Sequence, residues 1–128
     1  MLRGMEDSMF GVWVAHGEGR LHCPDNAVLA EALERKLAPI FFVDDEGIPT
    51  EKYPLNPNSS TRGIAAFCSP DGRHLALMPH PERAFLKWQW PWMPESWKSS
   101  VRVSPWLRMF QNARVWCEAH SAKMPHGA

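Results

Sequence analysis

Apolar and polar positions fall into blocks along this chain, and each block predicts an element. Phe10-Gly-Val-Trp-Val-Ala-His16 is short, apolar and β-branched, which predicts a buried strand over residues 10–16. Gly17-Glu18-Gly19 breaks it, and two glycines around one polar residue mark a turn where backbone passes close to something. From residue 27 to 37 the period changes. Val28, Leu29, Ala32, Leu33 and Leu37 share one helical stripe, with Glu31, Glu34, Arg35 and Lys36 around it. Asp25-Asn26 is placed to cap that helix and Pro39 to stop it. Ile40 to Val43 reads as a strand, and Asp44-Asp45-Glu46-Gly47 as an acidic turn.

Residues 53–62, Tyr-Pro-Leu-Asn-Pro-Asn-Ser-Ser-Thr-Arg, are excluded from regular helix by two prolines and read as an ordered loop. Gly63 to Ser69 and His74 to Met78 are apolar arms around Pro70-Asp71-Gly72-Arg73, the clearest hairpin in the chain. Residues 84–104 are rich in Trp and Pro and irregular. Trp88, Trp90 and Trp92 alternate as residues on one face of a strand would, but Pro91 interrupts them. Ser104-Pro105 predicts an N-cap followed by proline at the first helical position. The helix runs to about Glu118, with Trp106, Met109, Phe110, Ala113, Trp116 and Cys117 as its apolar stripe. Residues 1–119 read as one domain and 120–128 as a flexible tail, with no internal repeat.

Composition narrows the classes. Fourteen Lys and Arg balance fourteen Asp and Glu, which argues against a nucleic-acid-coating protein. The balance hides an asymmetry: residues 1–64 hold ten acids and six bases, and residues 65–128 hold four acids and eight bases. Hydrophobic residues make up 45% of the chain, too many for general disorder. The longest apolar run, Pro39 to Val43, is strand-sized, so no membrane partner is expected. Met1-Leu-Arg-Gly-Met-Glu-Asp7 has no signal-peptide core, which leaves the cytoplasm as the default compartment. Cys23, Cys68 and Cys117 show no C-x-x-C spacing and read as idle reduced thiols.

The sharpest local chemistry is His80-Pro81-Glu82 at the end of a strand. Side chains two apart in an extended chain point to the same side, and a carboxylate beside a histidine selects its tautomer and stabilises the imidazolium. A nucleophile is what this pair lacks. His16, His22, His74, His80, Glu18 and Glu82 offer metal-ligand chemistry, but no two stand at a recognised helical ligand spacing, so no metal is expected. The Trp cluster reads as packing or interface rather than as a stacking platform for a ligand.

Several motifs occur in a fixed order: Leu2-Arg-Gly-Met5, Ala15-His-Gly-Glu-Gly-Arg20, Tyr53-Pro-Leu-Asn-Pro-Asn58, Ser69-Pro-Asp-Gly-Arg-His-Leu-Ala76, Met78-Pro-His-Pro-Glu-Arg83, Ser104-Pro-Trp-Leu-Arg108 and Asn112-Ala-Arg114. Over residues 1–117 this series resembles the C-terminal end of the phosphoribosylformylglycinamidine synthase family. The resemblance implies an α/β fold, part of a class I glutamine amidotransferase domain. That domain is a flavodoxin-like open sheet, here expected as a mixed sheet with a hairpin and a C-terminal helix.

The resemblance also implies glutamine as substrate of the intact domain, with ammonia passed to synthetase domains for an ATP-dependent step in purine biosynthesis. ATP and magnesium belong to the synthetase region, so no cofactor is expected in this chain. In the family a Cys–His–Glu triad does the glutaminase step. His and Glu map onto His80 and Glu82, and Ala15, His16 and Gly17 lie near the glutamine pocket.

Departures accompany the match. The family's nucleophile sits upstream in a glycine-flanked elbow, and none of the three cysteines here stands on one. Asp7 stands where the family has Gly, Gly11 where it has Pro, and Ser59 where a glycine is expected, which strains a turn that wants positive φ. The expectation is therefore a fragment that begins mid-domain and is inactive alone. The alternative is a short non-enzymatic protein that binds a synthetase subunit or another partner.

Overall fold

The structure, a computed structural model, describes residues 1–121. It divides into two compact units: Val14–His80, and Met1–Trp13 together with the chain from Pro81 onward.

The Val14–His80 unit contains helix α1 (Asn26–Glu34) and strands β1 (Ile40–Phe41), β2 (Ile64–Cys68) and β3 (Leu75–Leu77). Asp25 caps α1, its Oδ1 accepting from Ala27 N at 2.7 Å and Val28 N at 3.5 Å. The helix ends before Pro39 is reached. Lys36 turns left-handed at φ 55°, and Leu37 N donates back to Ala32 O at 2.8 Å. Leu29 is fully buried and forms a core with Ala38 and Ile64, closed by Leu21, Cys23, Leu33, Phe41 and Phe67. Val28, expected on the buried stripe, is 57% exposed.

The sheet has the order β1-β2-β3, with Ile40 opposite Ala66, Phe41 opposite Ile64, Ala66 opposite Leu77 and Cys68 opposite Leu75. Every pairing in it is antiparallel, so the expected mixed sheet is not what forms among the described residues. The β2–β3 connection is the predicted turn. Ser69 Oγ donates to Asp71 Oδ1 at 2.5 Å and accepts from His74 N at 3.0 Å, and Gly72 supplies φ 68°. Gly63 opens β2 at φ 72°, where an added Cβ would stand 2.8 Å from Phe42 O.

The second unit has little regular structure before its helix. Short 3₁₀ turns at Pro81–Arg83, Lys87–Gln89 and Glu95–Trp97 precede α2 (Leu107–Ser121). Residues 10–16 do not form the predicted strand. Apolar character alone cannot make a strand without a neighbour for its backbone groups. Instead the Phe10 ring packs edge-on against Trp90 (centroids 6.2 Å apart) and Trp106 (5.6 Å), and Gly11 O accepts from Trp106 Nε1 at 3.0 Å.

Residues 84–104 are irregular, as expected, apart from an isolated bridge of Leu86 with Val103, and Trp88, Trp90 and Trp92 do not share one face. Trp90 is buried at 6% exposure, whereas Trp88 and Trp92 are 80% and 69% exposed. The 3₁₀ turn over Lys87–Gln89 breaks the period of two. Helix α2 begins two residues after Pro105 and runs past Glu118 to Ser121. Ser104 Oγ accepts from Trp106 N at 3.3 Å, and Asn112 Nδ2 ties α2 to the first residues through Met1 O (2.8 Å) and Arg3 O (2.7 Å). Of the expected tail, 120 and 121 are helical and 122–128 lie outside the described residues.

Candidate functional site

Two loops of the Val14–His80 unit build its open cleft, a space of about 340 Å³ lined by Val14, His16–Arg20, Pro57 and Asn58. Pro54 and Pro57 keep the second loop out of helix. Buried amide and hydroxyl groups then fix its path. Asn56 is fully buried, its Nδ2 donating to Thr50 O and Ser60 O at 2.9 Å each, and its Oδ1 accepting from Ser60 N at 3.1 Å. Ser60, also fully buried, donates its hydroxyl proton to Asn58 Oδ1 at 2.8 Å.

The same loop reaches across to the His-Gly-Glu-Gly-Arg segment. Asn58 Nδ2 donates to Gly19 O at 2.7 Å, Leu21 N donates to Ser60 Oγ at 3.1 Å, and Arg20 Nε donates to Ser59 O at 3.2 Å. Gly19 also lies so close to β3's continuation that an added Cβ would stand 2.7 Å from Met78 Sδ. The two glycines read as a close backbone approach therefore include one, Gly19, that makes it; nothing lies within 4 Å of a Cβ at Gly17.

Of the predicted substrate residues, Ala15 and His16 are half-buried and Gly17 is exposed; His16 and Gly17 line the cleft. His80 is half-buried and follows the buried Pro79 two residues after Met78. The extended geometry assumed for His80-Pro81-Glu82 is not found. Pro81–Arg83 is a 3₁₀ turn, which removes the period of two that would set both side chains on one side. The boundary between the units falls between His80 and Pro81. The Glu82 side chain is 52% exposed, with Arg83 Nε 3.9 Å from its Oε1.

The Cys23 thiol donates to Asp25 O at 3.3 Å, Cys68 is half-buried in β2, and Cys117 is exposed on α2. Among the described residues, no three His, Cys, Asp or Glu side chains converge in a metal-holding group. No helix among them is long and apolar enough to cross a membrane.

Asp71 in one unit and Glu6 in the other sit below the usual carboxyl range. Asp71 is held down by the Ser69 hydroxyl and then by the Arg73 amide. Glu6 is held down by its own backbone amide and that of Gly4. Neither belongs to the cleft. Residue-type reasoning passed over Asn56, Asn58 and Ser60. Their signal was present: short polar side chains between prolines are the ones that bond loop backbone.

Residues 1–117 match the model of the CobB/CobQ-like glutamine amidotransferase domain, and the chain belongs to that family. Its relatives are more particular. It is 61% identical over 120 residues to the Arabidopsis thaliana protein named "Probable phosphoribosylformylglycinamidine synthase, chloroplastic/mitochondrial". It is 53% identical over 116 residues to the Homo sapiens phosphoribosylformylglycinamidine synthase, and 50% over 123 to that of Dictyostelium discoideum. These alignments cover 93%, 91% and 93% of this chain but only 8%, 9% and 9% of the relatives. The chain thus spans less than a tenth of the length of these three relatives.

Proposed function

We propose that this chain is the C-terminal part of a class I glutaminase domain, a portion of a larger flavodoxin-like sheet, and that it serves a phosphoribosylformylglycinamidine synthase. Its domain would extend through residues 1–119. The whole enzyme would hydrolyse glutamine and use the ammonia in the ATP-dependent conversion of formylglycinamide ribonucleotide to formylglycinamidine ribonucleotide, in purine biosynthesis. ATP and magnesium act in synthetase domains, the partners of this one, and this chain would hold no cofactor. Its compartment would be the cytoplasm, or the organelle that the Arabidopsis relative's name gives for that protein.

In this reading His80 Nε2 or Nδ1 takes the proton of a cysteine thiol supplied by another segment. The thiolate attacks the glutamine side-chain carbonyl, and the imidazolium returns the proton to the leaving ammonia. Water then hydrolyses the thioester. Glu82 orients His80, and Ala15, His16 and Gly17 contact the glutamine. The observation that carries the reading is the packing of Gly19 on Met78, which sets the His-Gly-Glu-Gly-Arg loop against the strand leading to His80. The sites of Cys23, Cys68 and Cys117 support inactivity of the chain alone, since none stands on a glycine-flanked turn from strand to helix.

The test treats the purified chain with glutamine and with an electrophilic glutamine analogue. The expected outcome is glutamine-dependent shifts in the amide resonances of His16, Gly17 and His80, no ammonia above the buffer control, and no cysteine labelled by mass spectrometry. Ammonia release lost in His80→Ala, or a labelled cysteine, would overturn the claim of a missing nucleophile. A second reading, a non-enzymatic partner-binding protein, is favoured by one observation: Trp13, Trp88 and Trp92 are all more than half exposed.

A further inference from the structure

We infer that Asn58 is a positioning residue for the cleft: it latches the His16–Arg20 loop in place through the Gly19 carbonyl. The inference rests on the glutaminase reading for its substrate, but not for its geometry. Asn58 uses both ends of its amide. Its Nδ2 donates to Gly19 O at 2.7 Å, and its Oδ1 accepts from Ser60 N at 3.1 Å and Ser60 Oγ at 2.8 Å. Ser60 carries the latch onward, its Oγ accepting from Leu21 N at 3.1 Å.

The bonds come in an order that gives Asn58 a distinct part. Asn56 builds the loop on itself, since both ends of its amide bond within residues 50–60. Asn58 is the side chain that passes from that fixed loop to the cleft wall. It reaches the wall at Gly19, where an added Cβ would stand 2.7 Å from Met78 Sδ. Gly19 is therefore fixed by a donor at its carbonyl and crowded by the Met78 thioether at its α-carbon. A glycine carbonyl has no side chain to fix its orientation, so an external donor is what selects one peptide-plane orientation for Gly19–Arg20. That orientation fixes the Arg20 N–H, which shares the peptide plane with the Gly19 carbonyl, in the segment that lines the cleft.

Two variants separate this role from plain stability. Asn58→Ala removes all three bonds. Asn58→Asp keeps both acceptor bonds from Ser60, loses the donor to Gly19 O, and sets a carboxylate against a carbonyl. Amide exchange is read at Leu21, in the latch, and at Ala66, in the centre of the sheet. Peptide-plane changes are read from the Gly19 and Arg20 amide shifts, and free glutamine is the titrant.

In Asn58→Ala we expect exchange at Leu21 to rise by about ten-fold, the equivalent of one or two lost hydrogen bonds, with Ala66 unchanged. In Asn58→Asp we expect moved Gly19 and Arg20 shifts, unchanged Ala66 exchange, and glutamine affinity lowered by about ten-fold. Equal increases at Leu21 and Ala66 would make Asn58 a stability residue and overturn the inference. So would Gly19 and Arg20 shifts in Asn58→Asp that match the parent chain. If glutamine moves no resonance of the parent chain, the glutaminase reading fails, and the exchange and shift results decide the latch on their own.

Discussion

The two units of this chain solve the same problem with different materials. The Val14–His80 unit has a sheet, a capped helix and a loop pinned by buried amides and hydroxyls. The other unit has α2 and otherwise short 3₁₀ turns, and its interior is a set of aromatic rings: Phe10 against Trp90 and Trp106, and Trp90 against Trp97 at 5.9 Å. Hydrogen bonds are directional and fix a loop to one path. Ring contacts are large in area and tolerant in angle. The cleft lies in the unit with directional bonds, where a positioned backbone is what a ligand would need.

The largest effect expected from breaking this contrast is in the aromatic unit. Trp90→Ala should lower unfolding stability by about 3–5 kcal/mol in urea titrations, whereas Trp88→Ala should stay within about 0.5 kcal/mol. The two residues are neighbours in sequence and opposites in burial. Trp90 also buries an indole N–H that has no partner among the described residues, so Trp90→Phe should cost far less than Trp90→Ala.

Next comes the polar unit. Asn56→Ala removes three buried bonds, taking the side-chain donor from Thr50 O while Ser60 O keeps Gly63 N at 3.0 Å, and should cost about 2–3 kcal/mol by the same measurement. A smaller change runs in the stabilising direction in both units. Asp7 (φ 55°) and Ser59 (φ 54°) occupy left-handed backbone, so Asp7→Gly and Ser59→Gly should each raise stability by about 0.5–1 kcal/mol.

The smallest effect is a pH dependence. With the Asp71 carboxyl held below its usual range, the folded chain binds fewer protons than the unfolded one between the lowered and the ordinary value. Its contribution is therefore present above the ordinary carboxylate range and is lost as pH falls through the lowered value. Asp71→Asn should flatten that acid slope in urea midpoints measured across the range. No such flattening would remove Asp71 from the account.

Local signals in the sequence located what local bonds hold. The Asp25 cap, the Pro-Asp-Gly-Arg turn and the two hairpin arms each depend on residues a few positions apart, and each is found. Ser59 at positive φ follows from the glycine expected there. The losses have one cause in common. The 10–16 strand rests on an apolar, β-branched run and the extended His80-Pro81-Glu82 on a period of two; each takes a local pattern as sufficient, and a strand also needs a neighbour. In the site, His16, Gly17 and Gly19 were legible as a glycine-bounded turn. Asn56, Asn58 and Ser60 carry a signal as loop-bonding residue types, but the partners of Asn58 and Ser60 39 residues away are not legible.

The division of side chains between the units also makes them optically distinct. All seven tryptophans fall at Trp13 or beyond Pro81, and the one tyrosine, Tyr53, falls within Val14–His80. Indole emission therefore arises from one unit and phenol emission from the other. A denaturation curve followed by tryptophan fluorescence would register the aromatic interior. If backbone circular dichroism or Tyr53 gave a different midpoint, the two units would be shown to melt separately.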